Sequence, residues 1–73
     1  NNLLKQKIDF FSLDVEGHEL DVIKSLGKLI NNVNFFLIET DHFDRIDVYM
    51  VNNKFKFLEK LSKNDYLYQN IKY

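Results

Sequence analysis

With 73 residues, 45% of them hydrophobic and 15% aromatic, the chain is one small domain at most, and its composition is that of a protein that buries a core rather than of a disordered tail. A formal net charge of -1 gives no electrostatic reason to expect nucleic acid, an anionic membrane or a strongly charged partner. Cysteine is absent, so disulfides, thiolate metal sites and thiol nucleophiles are excluded together.

No apolar run approaches the roughly 18 residues that span a bilayer, and no leader of the secretory kind stands at the start, so a soluble, cytoplasmic protein without membrane insertion is the default expectation. The chain begins Asn1-Asn2 rather than with methionine, which suggests a segment of something longer. Asn1 to Lys7 is a polar lead-in anchored only by Leu3 and Leu4. Ile8, Phe10, Phe11 and Leu13 then form a short run of aromatic and branched residues, the pattern of a strand buried on both faces and paired in parallel. Asp14, Glu16 and Glu19 crowd its end, and Gly17 supplies the backbone freedom to turn the chain into a helix.

That helix is expected from about His18 to about Leu26, because Leu20, Ile23 and Leu26 fall at helical spacing and Val22 widens the stripe. Gly27 fits the left-handed residue that closes it, with Lys24 and Lys28 at its negative end. Asn31 to Asn34 reads as a turn, and Phe35 to Glu39 as a second apolar strand. Two buried strands joined by a helix imply a right-handed parallel crossover, which brings both strand ends to the same edge. Asp41 is placed to cap a second helix, with Asp44 in the position of a capping box and Phe43, Ile46, Tyr49 and Met50 as its apolar stripe. Asn52 and Asn53 would end it in a left-handed cap. Phe55 and Phe57 alternate with Lys54 and Lys56, the period of a half-buried strand, and Asp65 to Asn70 after the turn at Ser62 is its hairpin partner.

The run Ile8-Asp9-Phe10-Phe11-Ser12-Leu13-Asp14-Val15-Glu16-Gly17-His18-Glu19-Leu20 resembles the signature of the FkbM-like family of S-adenosylmethionine-dependent methyltransferases, in which an apolar strand enters Asp-Val-Glu-Gly-x-Glu-Leu and a helix. Phe35-Phe36-Leu37-Ile38-Glu39 is similar to that family's next strand, which ends in a glutamate. The resemblance runs from about Ile8 to about Asn70 and covers the C-terminal half of the family's domain. It implies an α/β fold, the C-terminal half of a Rossmann-like methyltransferase sheet. The expected order is strand, helix, strand, helix, strand, strand, with the first two strands parallel and the last two an antiparallel hairpin whose final strand opposes the rest.

Parallel strands that end side by side would gather Asp14, Glu16 and His18 from one turn and Glu39, Asp41 and His42 from the other. Ligands of open α/β sheets bind at such strand ends. Methyl transfer to a hydroxyl needs donor and acceptor aligned and is helped by a group that takes the acceptor's proton. By the resemblance, Asp14 faces the methyl-transfer site and orients or deprotonates the acceptor, and it is the one residue of this chain at the cofactor. Glu16 and Glu39 follow as catalytic or acceptor-binding groups, with His18 as a further acceptor-binding candidate.

Each of these residues also has a plainer reading. Asp14 or Glu16 suits a helix cap, Glu19 suits the positive end of a helix dipole, and Gly17 serves backbone geometry whatever the function. His18 and His42 with nearby acids do not make a known ligand spacing, so no metal is expected. Lys54-Phe55-Lys56-Phe57 with Lys60 and Lys63 interleaves bases with aromatics, but it carries no recognition motif and reads as a solvated strand face.

Adenosylmethionine sites of the Rossmann kind use a glycine-rich turn after the first strand. This chain has only Gly17 and Gly27 and no GxG. By the resemblance the cofactor-binding N-terminal half lies elsewhere, the 73 residues alone are inactive, and the partners are a small-molecule or glycan acceptor and the missing half of the domain. The strand at Ile8 to Leu13 would then leave an open edge prone to non-native dimerisation. The other reading is a small non-catalytic α/β interaction module, or a decayed remnant of such an enzyme.

Overall fold

The computed structural model describes residues 7–14 and 17–72. The elements run β1 (Ile8–Leu13), α1 (Glu19–Ser25), a 3-10 helix (Gly27–Asn32), β2 (Val33–Glu39), α2 (Phe43–Asn52), β3 (Phe55–Lys60) and β4 (Asp65–Asn70). The strands form one mixed sheet in the order β1-β2-β4-β3. β1 pairs with β2 in parallel, and β4 pairs antiparallel with both β2 and β3. Only the last strand therefore opposes the others. The expected parallel pair and terminal hairpin are both present, and the detail that differs is the insertion of β4 between β2 and β3.

Register shows why these residues choose strand. Phe11 pairs with Phe36, Phe36 with Tyr68 and Tyr68 with Phe57, so four aromatic residues form a row across the sheet on one face. Neighbouring rings meet at 4.9 Å between Phe11 and Phe36 and at 5.7 Å between Phe57 and Tyr68, the spacing of favourable tilted and edge contacts. Both helices cover this face. Ile23 of α1 and Ile46 and Met50 of α2 are buried with Leu13, Ile38 and Phe55 in a single core, and Phe43 of α2 stacks on Tyr66. Burial thus follows the helical stripes read from the sequence.

The opposite face corrects one expectation. β1 is not buried on both sides: Leu13 is buried, but Phe10 is 54% exposed. Phe10, Phe35, Leu37 and Leu67 alternate away from the helices, and β1 pairs only with β2 among the described residues. An edge strand with one layer above it has one buried face at most.

Three local expectations also change. The turn placed at Asn31 to Asn34 is divided between the end of the 3-10 helix, at Asn31 and Asn32, and the start of β2, at Val33 and Asn34; Asn70 holds that junction, its Nδ2 donating to the carbonyls of Asn31 at 3.1 Å and Val33 at 3.0 Å. Gly27 does take the left-handed conformation, with φ +55°. At the end of α2 the left-handed residue is Lys54, φ 68°, rather than Asn52 or Asn53, because Asn53 instead donates its side-chain amide to the Tyr49 carbonyl at 2.8 Å. Asp41 does not cap α2, and no capping box forms with Asp44. His42 is the N-cap residue without a side-chain cap, and Thr40 Oγ1 accepts from its backbone N–H at 2.9 Å. In β3 a bulge at Leu58 shifts the pairing from Phe57↔Tyr68 to Glu59↔Leu67. The extra residue restarts the alternation, so Lys60 lands on the face of Tyr66, its Nζ 5.5 Å from the ring centroid.

One polar contact crosses the layers. Tyr68 is fully buried, and its hydroxyl donates to Asp47 Oδ1 on α2 at 2.8 Å. Burial first, then this hydrogen bond and the carboxylate charge, push the phenol far above its ordinary value of 10.0. The folded chain holds that proton more tightly than the unfolded one. Its contribution is therefore complete below about pH 10 and falls away as the pH rises further. Tyr68→Phe should cost about 1–2 kcal/mol at neutral pH, and the variant should lose less than the wild type between about pH 9 and pH 11. Urea melts at the two pH values check both, and equal alkaline losses would remove the phenol from the account.

Candidate active site

The parallel ladder keeps β1 and β2 in step from Ile8↔Val33 to Leu13↔Ile38. The next residues, Asp14 just past β1 and Glu39 as the last residue of β2, stand at the same rim, where both line one hollow of about 110 Å³. Gly17 stands at the turn from the strand end into α1 with φ +77°, a conformation that costs any residue with a Cβ. Thr40 and Asp41 continue from β2, and His42 opens α2. Asp14, Glu39, Asp41 and His42 are all exposed at the mouth. The shared rim expected for Asp14 and Glu39 is thus present, and Asp41 and His42 join it.

Of the other expected site residues, one cannot be placed and one does not line the hollow. Glu16 lies outside the described residues. His18 is exposed at the N-cap of α1 and is not among the residues that line the hollow. The helix begins as soon as Gly17 has turned the chain, and this leaves the imidazole outside.

Glu19, Thr40 and Asn64 line the hollow without having been singled out as binding residues. Glu19 is 4% exposed despite its charge, and it also lines an adjoining hollow of about 120 Å³ with Gly17, His42 and Arg45. In the sequence it is the second glutamate of the Asp-Val-Glu-Gly-x-Glu-Leu run and an acid in the first helical turn, and a dipole partner would account for that position equally well. Thr40 is buried, and its backbone N–H donates at 2.9 Å to the carbonyl of Asn64. That bond ties the β3–β4 loop to the rim. The register Glu39↔Asp65 explains it, since β4 starts beside the residue where β2 ends.

No group of three or more His, Asp or Glu side chains among the described residues is close enough to hold a metal ion. The rim is acidic and polar, with hydrogen-bond acceptors facing a space of about 110 Å³, well below the roughly 300–1,000 Å³ of a site for a drug-sized ligand. Such a space admits a small polar group. Among the described residues no helix is long and apolar enough to cross a membrane.

No curated protein and no solved structure matches the chain. The family model described as the methyltransferase FkbM domain matches residues 1–68, which include the Asp14 turn, the strand ending in Glu39 and the helices that bring them to one rim, and the chain belongs to that family.

Proposed function

We propose that this chain forms the acceptor-side rim of an S-adenosylmethionine-dependent methyltransferase that methylates a hydroxyl of a sugar, glycan or natural product. The observation that supports this reading is the convergence of Asp14 and Glu39 on one hollow at the ends of parallel strands. Asp14 holds the acceptor hydroxyl by accepting its hydrogen bond and is the group to take its proton. Glu39 faces the same hollow from β2 and binds a neighbouring part of the acceptor. A carboxylate suits both tasks because it accepts through two oxygens and stays ionised at neutral pH. Glu16 follows Asp14 in the same turn of sequence and is assigned to acceptor binding with it.

The methyl donor is held by residues outside this chain in the proposal, since the chain carries no glycine-rich turn of the kind that cradles such a cofactor. The 73 residues alone should then give no measurable heat with S-adenosylmethionine in a calorimetric titration. A saturable signal would place the donor site within these residues and overturn that division of labour. The reaction itself is tested in the full-length protein with methyl-labelled S-adenosylmethionine and a panel of glycosides and hydroxylated natural products. Label recovered in a base-stable ether is the expected result. Label in an ester or an amine, or none in any product, would refute hydroxyl methylation.

A further inference from the structure

Among the charged side chains at the hollow that the proposed roles leave unused, Glu19 is the most deeply placed. It is 4% exposed, whereas Asp14, Glu39 and Asp41 lie open at the mouth. Among the described residues its carboxylate has no hydrogen-bond or ion-pair partner, yet no buried side-chain oxygen there is both sealed from solvent and unsatisfied. The carboxylate oxygens therefore keep contact with solvent, and at this position the solvent is that of the two hollows Glu19 lines. A buried carboxylate without a partner is costly. A ligand that donates hydrogen bonds to it removes that cost.

The placement of the acids indicates what kind of ligand does so. A point cation is best held by several carboxylates converging on one spot, and no three of the described His, Asp and Glu residues do that. The acids are instead distributed around the space, Glu19 deep, Asp14 and Glu39 at the mouth. Separate acceptors fit a ligand with several separate donors, and charge-assisted O–H···O⁻ bonds are the stronger kind. Vicinal hydroxyls on a ring present donors in that way.

We infer that Glu19 is an acceptor-binding residue: it accepts the hydrogen bond of the hydroxyl adjacent to the one held by Asp14, so that the hollow selects vicinal diols. This rests on the reading of the rim as an acceptor site. It adds a residue that neither that reading nor the sequence signature assigns to the acceptor.

The test uses the full-length protein, with methyl α-mannopyranoside as a diol probe and cyclohexanol as a single-hydroxyl control, followed by backbone amide shifts. Saturable shifts at Gly17, Glu19, Thr40 and His42 with the glycoside, absent with cyclohexanol, are expected, and Glu19→Gln should weaken the glycoside by about tenfold or more. Glu19→Asp, which keeps the charge but withdraws it by one methylene, should weaken it as well and serves if the glutamine variant does not fold. Equal affinity in wild type and the folded variant, or no glycoside binding by wild type, overturns the inference. Methyl incorporation into acceptors is measured on the same preparations. Glu19-dependent binding without any methyl incorporation would sink the reaction and spare Glu19. Methyl transfer with an acceptor KM unchanged in Glu19→Gln would do the reverse.

Discussion

Asp14→Asn in the full-length protein is expected to lower kcat by about 100- to 10,000-fold, the usual size of a lost general base, while leaving the affinity for S-adenosylmethionine within about threefold. The substitution keeps shape and one acceptor oxygen but removes the group that takes a proton. Asp14 is exposed at the end of β1 and donates or accepts no bond that holds the fold among the described contacts, so the melting temperature should stay near that of the wild type. This separates the two readings of the residue. If Asp14 only caps the turn, the variant loses stability and keeps turnover; if it serves the acceptor, turnover falls in a fully folded protein. Steady-state kinetics with a melt on the same sample decide between them, and retained kcat would displace Asp14 from the chemistry.

Phe36→Ala should have the largest effect on the fold. Phe36 is fully buried in β2, with Phe11 at 4.9 Å on one side and Phe55 at 5.9 Å on the other, and truncating such a ring costs about 3–5 kcal/mol. A chain of this length has only about 4–11 kcal/mol in total at typical values per residue. The midpoint of thermal unfolding is therefore expected to fall by more than about 10 °C, or the cooperative transition to disappear. The site falls with it, because β2 is the strand that pairs with both β1 and β4 and carries Glu39 to the rim. A melt within a few degrees of the wild type would show that the aromatic row is not what joins the two halves of the sheet.

Much of this arrangement is legible without coordinates, for local reasons. Leu20, Ile23 and Leu26 repeat at the helical period, Phe55 and Phe57 at the strand period, and Gly27 supplies a left-handed closure that its φ of +55° bears out. The parallel pairing of β1 and β2 follows from two apolar runs with a helix between them. The 3-10 helix over Gly27–Asn32 escapes such a reading because six residues with two apolar positions, Leu29 and Ile30, carry no period. The end of α2 is misplaced for a similar reason. Asn53 satisfies a carbonyl through its side chain, and the turn passes to Lys54.

What the sequence by itself determined is the two α-helices, the four strands and the acidic turn that ends the first strand, since periodicity, glycine placement and side-chain type act between near neighbours in the chain. Only the tertiary structure decided that β4 enters between β2 and β3, that the loop at Asn64 is thereby tied to Thr40, and that Glu19 rather than His18 looks into the hollow. Those outcomes depend on which distant surfaces bury one another. Which strands pair is settled by side chains far apart in the chain that pack across the sheet, and the burial of an acid depends on the elements that close around it.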